Sequence, residues 1–147
     1  MTGFLLSTHS VLRYLILIML ICSLVLAWSG WSGNRSYGRG TKRVHQLTRV
    51  LLTLQMLLGF GLYYLLGFYR LAGRAGGLPD KTFFFTIVHV SMMLMAIVLI
   101  NAGYSVAQKA KTDKVKYRRI AIFYSIGTLI IFMAIPWPFL HSWATWL

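Results

Sequence analysis

Four apolar runs, at about 4–28, 44–68, 82–104 and 120–139, alternate with short stretches rich in Gly, Ser, Lys and Arg. Each run has the roughly 20 residues that a helix rising about 1.5 Å per residue needs to cross about 30 Å of hydrocarbon. Strands are excluded on physical grounds: an open sheet edge in lipid leaves backbone groups unpaired, and four runs cannot close a barrel. The pattern therefore predicts an all-α, integral membrane four-helix bundle. The first run lacks a basic leader segment and a small-residue cleavage site and is too long for a signal peptide core, so it reads as a retained span. The stretches 34–40 and 73–79 carry Gly, Ser and Pro as turn punctuation, which predicts connections and a single transmembrane domain over 1–147. Pro136 and Pro138 close the last run, and a helix that loses two N–H donors there is expected to bend or stop.

Composition supports the lipid reading. Of the 147 residues, 58 % are hydrophobic and 12 % charged, whereas about a quarter of positions are charged in a soluble domain. A net charge of +13, from 15 Lys and Arg against 2 acids, would suggest a nucleic-acid partner in a soluble chain; between apolar spans it reads as a topology signal instead. The first loop and its margin carry Arg35, Arg39, Lys42, Arg43 and Arg49, and the third carries Lys109, Lys111, Lys114, Lys116, Arg118 and Arg119. The opposite side has Arg70, Arg74 and Lys81 with Asp80. The basic loops belong inside, which places both termini on the outer, periplasmic side of a bacterial inner membrane. Trp28, Trp31 and Tyr104 then mark the inner interface, and Tyr69, Phe83, Phe84, Trp137, Trp143 and Trp146 the outer one.

Chemistry is expected among the few polar groups at membrane depth, because each is costly there. These are His9, Arg13, Gln55, His89 and Asn101. His9 falls about 7 Å into the first span and His89 about 10 Å into the third, by the helix rise. Both spans enter from the outer side, so the two imidazoles are expected at one level on two helices. A membrane b-type haem requires that arrangement, with two neutral imidazoles as axial ligands inside an apolar bundle. Gly59, Gly61 and Gly67 offer space for the macrocycle, and Arg70, Arg74 and Lys81 offer charge for its propionates. The plainer alternative makes each histidine an interhelical hydrogen-bonding group. Arg13 always carries charge, and both acids of the chain, Asp80 and Asp113, fall in or beside loops. Its counter-ion is therefore expected to be a ligand group, a lipid phosphate, another subunit's carboxylate or the Leu147 terminus, unless the side chain snorkels to the surface.

The remaining candidates narrow the choice. His45 and His141 fall near interfaces and read as solvated, with His141 in reserve as a ligand. Met92, Met93 and Met95 offer softer ligands but read first as core filling, as does the single cysteine, Cys22. With no acid inside a span, proton-coupled transport ranks low. Ser7, Ser10 and Ser91 lack a third residue to orient a base, so hydrolysis is poorly supported, and dispersed histidines without thiolate or carboxylate partners argue weakly for zinc or copper. A faint echo, His9-x-x-x-Arg13 and His45-x-x-x-Arg49, is too short to establish a repeat.

The segments His9-Ser10-Val11-Leu12-Arg13-Tyr14, Ile87-Val88-His89, Lys109-Ala110-Lys111-Thr112-Asp113 and Ile135-Pro136-Trp137-Pro138 resemble those of small bacterial four-span membrane proteins labelled cytochrome-b-like. That likeness runs along the whole chain. More remotely, its size, topology and early histidine are similar to the oxygen-independent protoporphyrinogen oxidases, in which an early histidine is implicated in haem binding; the role maps onto His9. Those proteins need a lysine in the third span where this chain has His89, a departure that counts against porphyrinogen oxidation. The expectation is a small inner-membrane b-type cytochrome or haem-binding redox subunit that transfers electrons in the membrane. His9 and His89 would be axial ligands of haem b, with Arg13 as an electrostatic tuner or propionate partner. The alternatives are a cofactor-free accessory subunit of a larger membrane complex and a porphyrinogen oxidase-like haem-biosynthesis protein. Partners are expected to be the bilayer and other membrane subunits or further copies of the chain.

Overall fold

The computed structural model describes residues 2–144. Trp146 and Leu147, assigned above to the outer aromatic belt and to the counter-ion of Arg13, lie outside the described residues. Four helices carry the fold: α1 (Thr2–Ser32), α2 (Arg39–Leu65), α3 (Asp80–Gln108) and α4 (Asp113–Ala134). All four are long and apolar enough to cross a membrane, and there is no strand among the described residues.

The ends of the helices follow from particular residues. α2 stops at Leu65, three residues short of the apolar run, because Gly67 adopts a left-handed conformation (φ 74°) that a residue without Cβ takes at little cost. Two short 3₁₀ segments, Phe68–Arg70 and Ala72–Gly77, then lead towards α3. α4 opens on Thr112, whose hydroxyl accepts from the Val115 N–H (3.4 Å), with Asp113 favourably placed against the helix dipole in the first turn. It stops at Ala134, five residues short of the apolar run, because Ile135 precedes Pro136 and is extended (φ −78°, ψ 132°).

Each helix turns a narrow stripe inward. On α1 the buried residues Ile16, Leu20, Ser23, Ala27 and Gly30 recur every three or four positions, as one face of a helix requires. Val11, Leu15, Ile18 and Val25 are exposed on the same helix, the inverse of a soluble bundle and a surface suited to lipid. Small residues let the helices approach closely: Gly30 lies against the ring of Tyr117, Gly103 against Phe123 and Gly127 against Ile100. The α3–α4 pair is packed most extensively, α1 packs on both α2 and α4, and α2 meets α3 least. The helices thus stand in the ring order α1, α2, α3, α4. α1 and α3 face each other diagonally across the interior.

At the basic end the loops are tied together. The Tyr37 backbone N–H donates to Asp113 Oδ2 (3.0 Å), Gln108 Nε2 to the Tyr37 hydroxyl (3.3 Å), and the Tyr117 hydroxyl to the Ser36 carbonyl (3.0 Å). Asp113 also pairs with Lys116 at 2.9 Å. Burial within this cluster pushes the Tyr37 hydroxyl up to about 12, because a phenolate there loses water.

Candidate functional site

The last carbonyls of a helix have no helical N–H to accept from. With the chain extended at Ile135 ahead of Pro136, those of Phe132 and Ala134 are among them. Each carbonyl is met by a side chain instead: Trp137 Nε1 donates to Phe132 O at 2.8 Å, and His89 Nδ1 lies 2.8 Å from Ala134 O. A carbonyl only accepts, so His89 Nδ1 is the protonated nitrogen and Nε2 holds the lone pair. That is the tautomer of a metal-binding imidazole with an outer-sphere carbonyl partner.

His89 also follows directly on the irregular part of its helix. Residues Phe84–Val88 form a π-helical stretch, within which the Thr86 carbonyl accepts from the Tyr63 hydroxyl of α2 (3.2 Å). The wider turn resets the phase of everything after it, and such insertions recur at functional sites.

His9 faces His89 from α1. Their ring centres are 6.5 Å apart, with planes at 68°. On its other side the His9 ring lies against Gly59 of α2, where an added Cβ would stand 3.3 Å from His9 Cε1. Gln55 Nε2, one helical turn earlier, donates to the His9 backbone carbonyl (2.8 Å). His9 Nδ1 is buried and has no hydrogen-bond partner among the described residues.

Both imidazoles line a cavity of about 360 Å³, within the range of roughly 300–1,000 Å³ that small-molecule sites occupy. Its wall is mainly apolar, with Ile16, Leu52, Ile97 and Ile131 deep in the bundle and Phe85, Pro136 and Trp143 towards the end that carries the N-terminus. Ser10, Arg13, Gln55, Tyr63 and Lys81 supply polar groups besides the histidines. Arg13 donates to the Tyr14 hydroxyl (3.1 Å) and lies 4.8 Å above that ring. Met56 and Met93 line the cavity.

The structure redistributes the remaining candidates. Arg70 and Arg74 do not belong to the cavity wall; Arg70 donates to the Tyr69 hydroxyl at 2.8 Å. Lys81 is the member of that basic group that lines the cavity. Of the three glycines expected to make room, Gly59 does so beside His9, Gly61 has nothing nearby and Gly67 serves the turn. His45 is not solvated, contrary to its reading as an interfacial group. It is completely buried, stacked on Tyr37 at 5.9 Å and edge-on to Tyr124 at 5.8 Å, because the ordered first loop folds Tyr37 over it. His141 stacks on Trp143 (4.7 Å) and packs on Phe84 (5.0 Å) above the cavity. Arg49 lies 4.6 Å over the Tyr104 ring.

The geometry can be tested against a pair of axial ligands. Two imidazoles bound to one metal through bonds of about 2.0–2.1 Å, each nitrogen roughly 1.2 Å from its ring centre, can have ring centres at most about 6.4–6.6 Å apart. The observed separation is 6.5 Å. Among the described residues no three His, Cys, Asp or Glu side chains assemble, so what this cavity offers a metal is two imidazoles, and the other ligands must come with the group. A macrocycle that carries its own four nitrogens and anionic side groups suits that donor set, and Arg13 and Lys81 suit the anions. Compared with protein-family models, curated proteins and solved structures, the chain shows no match.

Proposed function

We propose that this chain is a small b-type cytochrome of the bacterial inner membrane that passes electrons within the bilayer, with His9 and His89 as the axial ligands of haem b. The observation that carries the reading is the 6.5 Å separation of two imidazoles across an apolar cavity. The bound group supplies one-electron chemistry at a potential set by its ligands and by burial. Everything else is the work of this chain. His89, fixed by the Ala134 carbonyl, presents the lone pair of Nε2 and gains basicity from the bond behind it. The apolar wall keeps water from the centre, which lowers the local dielectric and disfavours a change in net charge. Arg13 and Lys81 balance negative charge at the cavity. The basic loops lie at the opposite end of the bundle from His9 and His89, which under the positive-inside rule supports a site in the outer half of the bilayer.

A reduced-minus-oxidised spectrum of the purified, detergent-solubilised chain tests the reading. The expected result is a Soret band with sharp visible bands of a low-spin, six-coordinate haem, lost together in the His89→Ala variant. Well-folded protein without pigment would remove the reading, and co-purifying chains in that preparation would favour an accessory subunit.

A further inference from the structure

The two imidazoles are held very unequally. His89 is tethered through Nδ1 to a carbonyl that no helix N–H competes for, and the bond strengthens it as a ligand. His9 Nδ1 has no partner among the described residues, although it is buried. The surface beside the His9 ring is Gly59, which has no side chain to bond that nitrogen. The Gln55 bond secures the backbone at His9 and leaves the ring unfastened.

From this asymmetry, and resting on the haem reading above, we infer that His9 is an exchangeable ligand and that the cavity beside it takes a neutral diatomic ligand, carbon monoxide being the chemical probe, while His89 stays in place. In the exchange the donor bond from the His9 nitrogen breaks and one from the carbon of the ligand forms. No electron or proton changes hands. The affinity for the incoming ligand is scaled down in proportion to the fraction of molecules in which His9 is already displaced, which makes the His9 ring a gate on the site.

The test is a carbon monoxide titration of the reduced full-length protein, followed by flash photolysis. The wild type is expected to show a complete and reversible Soret shift. After the flash it should show a recovery phase whose rate does not depend on carbon monoxide concentration, as His9 returns. His9→Ala is expected to keep pigment, to bind carbon monoxide about tenfold more tightly or better, and to lack that phase. A pigmented wild type that saturating carbon monoxide leaves unchanged overturns the inference and spares the cytochrome reading. So does a pair of variants in which His89→Ala keeps pigment and His9→Ala does not. Absence of pigment from the wild type overturns both. The photolysis measurement needs no variant, so a misfolded His9→Ala does not blunt the test.

Discussion

His89 meets the open end of α4: its Nδ1 lies 2.8 Å from Ala134 O, a carbonyl left without a helical donor where the chain turns extended at Ile135. A helix end on α4 thereby fixes both the tautomer and the rotation of an imidazole on α3.

Replacing Pro136 and Pro138 together by Ala lets α4 run on and offers the Ala134 carbonyl a competing N–H. The His89 bond is then expected to weaken, and on the haem reading proposed above an imidazole that loses its outer partner is a poorer donor to the oxidised metal. A loss of about 1 kcal/mol corresponds to a midpoint potential raised by on the order of 40 mV for a one-electron couple. Spectroelectrochemical titration of variant and wild type reads the shift directly. A potential that stays put or falls would show that the Ala134 carbonyl does not tune the ligand.

Gly59 is the second positional constraint, and its effect should depend on size. Alanine places a methyl 3.3 Å from His9 Cε1, a contact that a shift of a few tenths of an ångström relieves. Leucine fills the space the ring needs. Overpacking of this kind costs roughly 1–3 kcal/mol, which is about a 5- to 150-fold loss of haem affinity for Gly59→Leu, with Gly59→Ala near wild type. Titration of apoprotein with haemin measures both. Equal affinities for the two variants would argue that the His9 ring does not occupy its position beside Gly59 in the loaded protein.

Much of this was legible in the chain. Four runs of membrane-spanning length gave four helices, and equal depth of His9 and His89 anticipated rings that meet. The diagonal placement of α1 and α3 was not readable, since it depends on which faces the small residues Gly30, Gly103 and Gly127 bring together. The basic residues were harder still. Arg70, Arg74 and Lys81 are equivalent by sequence position, but only Lys81 sits on the first turn of a helix that borders the cavity, whereas the other two follow the turn at Gly67 away from it. Pro136 and Pro138 did carry a readable signal, because the helix they stop leaves its last carbonyls without donors. That His89 would answer one of them required the packing of α3 on α4, which no local pattern contains.

His45 illustrates the opposite error, a buried group with nothing to bond. Neither ring nitrogen has a hydrogen-bond partner among the described residues, so the polar atoms there oppose folding while the ring itself packs between Tyr37 and Tyr124. Replacing such a group by an apolar one of similar shape is neutral or stabilising. His45→Phe is therefore expected to hold or raise Tm in detergent and to leave the pigment spectrum untouched. A Tm lowered by several degrees would mean that the two nitrogens have partners, such as ordered water, that the ring needs.

Tyr37 provides a pH test of the tie between the loops. Its hydroxyl titrates at about 12 in the folded chain because of burial, against an ordinary value of about 10. Between those values the unfolded chain releases the proton and the folded chain keeps it, so the unfolded state binds fewer protons and stability falls as pH rises. The contribution is complete below pH 10 and is lost on passing through about 12. Tyr37→Phe has no proton to release and removes this part of the decline, although it also removes the bond from Gln108. The variant should thus be the less stable protein at neutral pH, and the gap in Tm should narrow steadily above pH 10. Parallel curves for the two proteins over that range would show that the Tyr37 hydroxyl is solvated, and that the first loop does not close over His45 in the way its stacking implies.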